Sequence, residues 1–289
     1  MRSLLFVPAD GGSKLDKAMA SGADAVIIDL EDSIAPERKE AARKLALDFL
    51  KSATPKKDRP RLLVRINGLE TGMTDADLDA IVPGAPDAVL FPKAEGGATV
   101  THLDAKLTAR EAIAGLPEGA IKILAQAVES AAGLFLAGTF RDSSARLIGL
   151  TWGPEDLSAE LGAEANREAD GTLTEPYRIA RAMCLYGAAA AKVPAIETVY
   201  VDFRNSEGLR RDTELAGRDG FTGRLAIHPA QVPVINAVFT PTAEQIEKAK
   251  VVVAAFAAQP DAGAVGIDGK MYDRPHLIRA QALLERVKS

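Results

Sequence analysis

Two carboxylates follow two of the most apolar short segments of the chain. Glu129 directly follows residues 121–128, and Asp156 comes three residues after residues 147–153. A carboxylate is costly in an apolar core but useful at the carboxyl end of a buried strand, where parallel strands open into a catalytic mouth. Mg²⁺ is commonly held by one or two carboxylates together with waters and substrate oxygens. The placement of Glu129 and Asp156 therefore predicts a magnesium site.

Each of these acids also has a structural alternative. Glu129 stands where a helix beginning at Ala131 would favour a negative charge at its N-terminus. This alternative is weaker for Asp156, because the segment Gly153 to Asp156 is typical of a tight loop rather than of a helix cap. Zinc is a poor alternative to magnesium because the three histidines lack the spacing of zinc ligands; they are His102, His228 and His276.

Further charged residues stand at other strand ends. Arg65 offers a fixed cation for a carboxylate or an enolate, or it pairs with a neighbouring acid. Asp29, Glu31 and Asp32 either frame Arg65 or a metal-bound water, or cap the helix that starts at Pro36. The same choice, between contact with substrate and a structural role, applies to a last group of residues. Lys93 is a substrate cation or an ion-pair partner, whereas a structural hydrogen bond is favoured for His228 and packing for Trp152.

The elements that position these residues alternate between strand and helix. Eight apolar segments predict strands, at 4–7, 25–29, 61–66, 88–91, 121–128, 147–151, 198–201 and 225–227. Helices are predicted at 13–20, 36–50, 75–81, 99–114, 131–138, 176–191, 206–216 and 231–239. Eight βα units in about 240 residues indicate a (β/α)₈ TIM barrel. The turn after the first strand also lacks the glycine spacing of a dinucleotide-binding sheet.

A C-terminal extension follows the predicted barrel. Residues 242–257 and 275–287 are typical of helices, and residues 263–273 of an irregular segment or a hairpin. We therefore expect a catalytic barrel over residues 1–240 and a C-terminal helical extension over residues 241–289.

Composition excludes several classes of protein. The formal net charge of −5 disfavours a general nucleic-acid binder, because phosphate binding depends on Lys and Arg. No segment approaches the roughly 20 apolar residues of a membrane span, and residues 4–7 are too short for a signal-peptide core. The single cysteine, Cys184, rules out an intrachain disulfide. These features favour a cytoplasmic enzyme.

Six motifs in order resemble the citrate lyase β-subunit-like branch of the HpcH/HpaI aldolase superfamily. They lie at residues 5–8, 22–33, 64–67, 128–133, 150–157 and 226–231. The resemblance implies a Mg²⁺-dependent enzyme acting on malyl-, citramalyl- or citryl-CoA, with acyl-CoA and 2-keto acids as partners. It assigns Glu129 and Asp156 to the metal and Arg65 to the substrate.

The resemblance continues into the C-terminal extension. Residues 266–275 are similar to the family's C-terminal motif, whose aspartate is Asp273 here, and the resemblance implies that it is the catalytic acid/base. It also implies a homotrimer or hexamer in which this extension reaches a neighbouring subunit. Lys14, beside the turn Gly11-Gly12, is a candidate contact for the phosphates of CoA.

Two departures from the family pattern affect substrate identity more than chemistry. Ala9 stands where glycine is common, and Pro154 removes a backbone donor that could alter carboxylate recognition. Two alternatives to a lyase stay open: a malyl-CoA thioesterase, and a non-catalytic acyl-CoA-binding subunit of a larger assembly.

Overall fold

The structure is a computed structural model that describes residues 1–288. Its residues divide into two compact units, Met1–Ala237 and Val238–Ser289. The first unit contains eight parallel strands, which are β1 Ser3–Pro8, β2 Ala25–Asp29, β3 Arg61–Arg65, β4 Ala88–Phe91, β5 Lys122–Val128, β6 Leu147–Trp152, β7 Ile196–Glu197 and β8 Gly223–Ala226.

The strands close into a barrel. Their order is β6-β5-β4-β3-β2-β1-β8-β7, and an isolated parallel bridge between Leu150 and Ala195 joins the two ends of this order. The interior is filled by aliphatic side chains from these strands, among them Leu4, Ile27 and Leu63. Together with the helices below, this is the predicted (β/α)₈ TIM barrel with a C-terminal helical extension, and the fold prediction is confirmed.

Helices follow each barrel strand, and all but the last connect it to the next one. They are α1 Ser13–Met19, α2 Lys39–Ala53, α3 Thr74–Ile81, α4 Gly97–Ala114, α5 Ala131–Leu136, α6 Pro154–Leu161, α7 Glu175–Ala191, α8 Ser206–Asp219 and α9 Val232–Phe239. Because all eight strands are parallel, their carboxyl ends meet at one end of the barrel. The residues that follow them are thereby gathered around one mouth.

Two predicted elements were wrong. The seventh strand was predicted at 198–201 but occupies Ile196–Glu197. The carbonyl of Tyr200 accepts a hydrogen bond from the Gln231 side chain, at 2.8 Å, instead of one from a neighbouring strand. The segment 153–156, predicted as a tight loop, instead begins helix α6, with Gly153 as its N-cap and Pro154 as its first residue. Proline suits this position because the first helical N–H has no partner within the helix.

The second unit has its own small core. Helix α10 Ala243–Ala258 is followed by a hairpin of strands β9 Ala264–Ile267 and β10 Lys270–Asp273, and by helix α11 Arg274–Lys288. Asp268 and Gly269 both have positive φ, as a tight two-residue hairpin turn requires. Val252, Phe256 and Val265 pack together in this unit.

Within residues 1–288, no helix combines the length and the hydropathy needed to cross a bilayer.

Candidate active site

Arg65 forms a bidentate ion pair with Asp29 at the mouth of the barrel. The two residues are directly paired where β2 and β3 end. Nε of Arg65 donates to Oδ1 of Asp29 and Nη2 donates to Oδ2, both at 2.7 Å. Burial alone would raise the pKa of Asp29, but its hydrogen bonds and the charge of Arg65 outweigh burial and lower it. Asp29 is therefore a carboxylate that fixes the plane of the guanidinium.

Glu31 extends this pair into a network. Its Oε2 lies 2.6 Å from Nη1 of Arg65, and its Oε1 accepts a hydrogen bond of 2.8 Å from Nζ of Lys93. Asp32 lies farther away, 3.6 Å from Nη1, and its side chain is 60% exposed. The short helix at Pro36–Arg38 and helix α2 have no side-chain cap. The three acids therefore frame Arg65, and the alternative in which they cap a helix was wrong.

The structure thus shows Arg65 in the ion pair that the sequence offered as its alternative role. The hydrogen bonds with Asp29 use two of the five N–H groups of its guanidinium, and Nη1 also forms the ion pair with Glu31. The group also lies 4.9 Å from the centre of the Phe6 ring. Arg65 also lines a cavity of about 470 Å³.

Glu129 follows β5 and is buried, with 3% of its surface exposed. Its Oε2 accepts a hydrogen bond of 2.7 Å from the backbone N–H of Lys93, and its Oε1 accepts one from the amide of Gln126. Burial, reinforced by the charges of Asp156 and Glu31, raises the pKa of Glu129 well above its ordinary value. Ser130, rather than Glu129, caps helix α5. A buried carboxylate in this position is stabilised by a nearby cation.

Asp156 lies in the first turn of α6 and faces the same cavities as Glu129. Its Oδ1 is 3.4 Å from Nζ of Lys93, whose backbone N–H contacts Glu129, so one lysine touches both acids. Lys93 has a positive φ of 48°, which turns its N–H toward Glu129. This lysine is an ion-pair partner, one of the two roles that its sequence position allowed.

Two cavities share Glu129 and Asp156. The cavity of about 470 Å³ also contains Arg65 and Gln126. The second, of about 340 Å³, contains Lys93 and further acids. The structure thereby brings together Asp29, Glu31, Asp32, Arg65, Glu129 and Asp156 around one mouth.

Two other predicted residues lie outside this group. Lys14 is exposed in α1, forms no ion pair with any residue among 1–288, and lines neither cavity. Asp273 ends β10 in the second unit, where its Oδ1 lies 2.5 Å from Nδ1 of His276. This contact, through its hydrogen bond and charge, lowers the pKa of Asp273.

The remaining assignments concern packing. Trp152 is fully buried and donates a hydrogen bond from Nε1 to Glu197. His228 accepts a hydrogen bond from the N–H of Ala230, as expected for a structural histidine. Sequence reasoning missed Gln126. The available signal was one uncharged polar residue among the apolar residues 123–128.

Comparison with known proteins identifies the family. The model for HpcH/HpaI aldolase/citrate lyase matches residues 2–229. The chain belongs to this family. It is 34% identical to the citrate lyase subunit beta of Leuconostoc mesenteroides subsp. cremoris, over 98% of this chain and 92% of that protein. It is also 35% identical to a (3S)-malyl-CoA thioesterase of Cereibacter sphaeroides, over 100% of this chain and 95% of that protein.

Solved structures show the same architecture. CitE from Mycobacterium tuberculosis, in complex with magnesium, acetoacetate and coenzyme A, is 33% identical and has a TM-score of 0.77 over 100% of both chains. A complex of CitE with magnesium and pyruvate is 31% identical, with a TM-score of 0.71 over 98% of this chain and 97% of that one. Both of these CitE structures contain magnesium.

The residues present fit a magnesium ion. Glu129 and Asp156 both line the larger cavity with carboxylate oxygens, and hard divalent cations prefer oxygen ligands. Among residues 1–288, no group of three His, Cys, Asp or Glu side chains converges on one point. Two carboxylates leave the other positions for water and ligand oxygens, as is usual for Mg²⁺.

Close packing at Gly153 provides a test of how tightly Glu129 is held. A Cβ at Gly153 would lie 3.0 Å from Cγ of Glu129 and closer still to its carboxylate, although the backbone there is extended and suits any residue. We expect Gly153→Ala to lower the free energy of unfolding by about 1–3 kcal/mol through overpacking, measured by urea denaturation. Gly138→Ala is the control, because nothing lies within 4 Å of its Cβ position. Equal losses in the two variants would contradict tight packing around Glu129.

Proposed function

We propose that this protein is a Mg²⁺-dependent lyase that cleaves or forms a carbon–carbon bond in a 3-hydroxy-3-carboxyacyl-CoA thioester. Malyl-, citramalyl- and citryl-CoA belong to this substrate class, and the products are acetyl-CoA and a 2-keto acid. The observation that carries the proposal is the shared cavity of Glu129, Asp156 and Arg65. It combines two oxygen ligands for a metal with a fixed cation for a developing negative charge.

The geometry supports the following binding roles. Glu129 and Asp156 would hold magnesium, with the carboxylate of Glu129 oriented by Gln126 and by the Lys93 N–H. When bound, Mg²⁺ lowers the pKa of a hydroxyl group next to it and stabilises negative charge on that oxygen. The exposed Lys14 is a proposed contact for CoA phosphates.

The bond-breaking step requires one base and one electrostatic stabiliser. Asp273 takes the hydroxyl proton, directly or through water, and the carbon–carbon bond breaks as the hydroxyl carbon becomes a ketone. The electron pair of that bond passes to the acetyl-CoA fragment as an enolate, whose oxygen the guanidinium of Arg65 stabilises. The protonated Asp273 then returns its proton to the enolate carbon, directly or through water, which completes acetyl-CoA; the reverse sequence is a Claisen-type condensation.

Asp29 and Glu31 support this step indirectly. They hold the guanidinium in place before the substrate arrives, so little reorganisation is needed as charge develops. Asp32, at the exposed edge, adds negative charge to the same frame. These acids also keep Arg65 from acting as a general acid, because they raise its pKa further above the physiological range.

A malyl-CoA thioesterase is the second candidate. The relative from Cereibacter sphaeroides, at 35% identity over the whole chain, favours it. The same cavity would then admit water to the thioester carbonyl, and the products would be free CoA and the hydroxy acid. A non-catalytic acyl-CoA-binding subunit is less favoured, because the proposed catalytic residues are all present.

The products decide between these functions. We expect purified protein with Mg²⁺ to release acetyl-CoA and a keto acid from malyl- or citramalyl-CoA, measured with separate thiol and keto-acid assays. A screen of acetyl-CoA and propionyl-CoA against glyoxylate, pyruvate and oxaloacetate would identify the substrate in the condensation direction. Free thiol without keto acid would instead establish a thioesterase, and CoA binding without turnover would indicate the subunit role.

The proposed role of Asp156 as a metal ligand is tested by the variant Asp156→Asn. We expect Asp156→Asn to weaken Mg²⁺ binding, measured by calorimetry, and to reduce turnover by at least about 100-fold because a charged ligand is lost. The fold, measured by circular dichroism, should be retained because the side chain is one-third exposed. Glu164→Gln, an exposed acid that lines neither cavity, is the control for a general loss of charge. Unchanged Mg²⁺-dependent activity in the Asp156 variant would exclude its ligand role.

We further propose that residues 241–289 pack on a neighbouring subunit of a homotrimer or hexamer, so that Asp273 acts in the partner's barrel. Asp273→Ala and Arg65→Ala should each be inactive alone. Mixed oligomers of the two variants should regain part of the activity, since some sites would contain both native residues. The measurement is turnover after co-refolding, with the oligomeric state followed by light scattering. An absence of rescue in confirmed mixed oligomers would contradict the shared site.

A further inference from the structure

Lys39, the first residue of α2, is a buried cation near the mouth of the barrel, with 8% of its surface exposed. Its Nζ donates to the carbonyl oxygens of Leu30 and Glu31, at 2.7 and 2.8 Å, and to Oδ1 of Asn67, at 2.8 Å. These contacts use the three donors of the ammonium group, and all three acceptors are uncharged. Burial lowers the pKa of Lys39, and the charges of the surrounding acids offset this only in part. A cation kept at this cost indicates a specific role.

The three acceptors belong to the two segments that carry the Arg65 network. Leu30 and Glu31 directly follow β2, and Asn67 comes two residues after Arg65, which ends β3. Nδ2 of Asn67 also donates to the carbonyl of Leu30, at 3.1 Å. Lys39 and Asn67 therefore join the segments that follow two neighbouring strands.

Glu31 is held through its backbone on both sides. Its N–H donates to Oδ1 of Asp29, at 2.9 Å, and its carbonyl accepts from Lys39. Its side chain forms the ion pairs with Arg65 and Lys93. Because the backbone is fixed, the carboxylate has a defined position from which to hold the guanidinium.

Asn67 is fixed in turn by α3. Oδ2 of Asp77 accepts from the backbone N–H and from Nδ2 of Asn67, at 2.6 and 2.7 Å. Oδ1 of Asp77 accepts from Nε of Arg43, at 2.7 Å, and Arg43 lies one turn after Lys39 in α2. The contacts thus begin and end on the same helix. Connected polar contacts of this kind make the region around them more rigid.

We propose that Lys39 is a positioning residue for the lyase reaction, which fixes residues 30–31 against the end of β3 so that Glu31 holds Arg65 in place. This inference rests on the proposed function. Lys39 lines neither of the cavities that contain Glu129 and Asp156, so it acts through Glu31 and not on the substrate. Without its contacts, Arg65 has to be reordered as the enolate charge develops, and this cost falls on the transition state more than on binding.

The first test is Lys39→Met, which keeps an unbranched side chain but has no donor. We expect kcat for thioester cleavage to fall by about 10- to 100-fold, as for a displaced stabilising group. KM for the thioester and the affinity for Mg²⁺, measured by calorimetry, should change by less than about threefold, because Glu129 and Asp156 follow other strands. A loss confined to KM or to Mg²⁺ binding would overturn the proposal.

A double-mutant cycle with Glu31→Gln distinguishes action through Glu31 from general support of the fold. Residues that act as one unit give effects that do not add in free energy. We therefore expect Lys39→Met to lower kcat by less than about threefold in the Glu31→Gln background. Effects of the two substitutions that multiply fully would contradict action through Glu31.

Arg146 provides a matched control at the opposite end of the barrel, where it precedes β6. It is buried, at 3% exposure, and Nη1 donates to Oε1 of Glu111 and to the carbonyl of Ile121. Arg146→Lys keeps the charge but loses part of these hydrogen bonds, so it lowers stability without reaching the mouth. Below the unfolding midpoint its kcat should equal that of the wild-type protein. A fall equal to that of Lys39→Met would overturn the proposal.

Hydrogen exchange followed by mass spectrometry measures the positioning without turnover. In Lys39→Met, peptides covering residues 30–38 and 66–73 should exchange at least about fivefold faster, while residues 129–133 and 154–160 keep their wild-type rates. Unchanged exchange in the first two segments would overturn the proposal. Absence of lyase turnover in the wild-type protein would instead count against the proposed function, and the exchange rates would still decide whether Lys39 fixes these segments. If Lys39→Met does not fold, the shorter Lys39→Gln provides both measurements, with changes in the same direction.

Discussion

The candidate site depends on the pairing of Arg65 with Asp29. The two residues lie side by side at the carboxyl ends of the neighbouring strands β2 and β3, at the mouth of the barrel. The pair fixes a permanent cation beside an interior filled with aliphatic side chains. Glu31 forms an ion pair with Nη1 of the same guanidinium, and Lys93 forms an ion pair with Glu31. Opposite charges thus alternate around the mouth, and each charge has partners before any ligand binds. Such preorganisation limits the cost of stabilising a charge that develops during reaction.

Lys93 connects this frame to the proposed metal ligands. Its ammonium group contacts Glu31 and Asp156, while its backbone N–H contacts Glu129. The surrounding carboxylates outweigh the effect of its burial and raise the pKa of Lys93, so it stays a cation. One residue therefore sets the spacing between a cluster that binds Arg65 and a pair that fits magnesium. Lysine is suited to this role because its long stem and its backbone donor can point to different acids.

Much of the fold and part of the site could be predicted from sequence. The strands and their order follow from apolar segments at regular spacing, and the position of Glu129 and Asp156 follows from strand ends. The start of α6 was missed because only three residues separate the end of β6 from Asp156, too few to show a helical period. The seventh strand was misplaced because residues 198–201 favour extended structure, while Gln231, distant in sequence, takes the carbonyl of Tyr200. The orientation of Gln126 was equally inaccessible, since it depends on contacts with Glu129 that only the folded barrel creates.

Because β7 is short, the barrel wall has fewer backbone hydrogen bonds at this strand than elsewhere. Only Ile196–Glu197 pair as a strand there, and the joint with β6 consists of the bridge at Leu150 and its 3.0 Å hydrogen bond to the carbonyl of Pro194. Strand pairs elsewhere in the wall, such as β1 with β2, share five registered positions. A wall with few backbone hydrogen bonds opens at a lower free energy than its neighbours. The cavity that is lined by Asp156 is also lined by Thr198 and Val199, so we expect this side of the mouth to adjust to the size of a ligand more readily than the wall that carries Arg65.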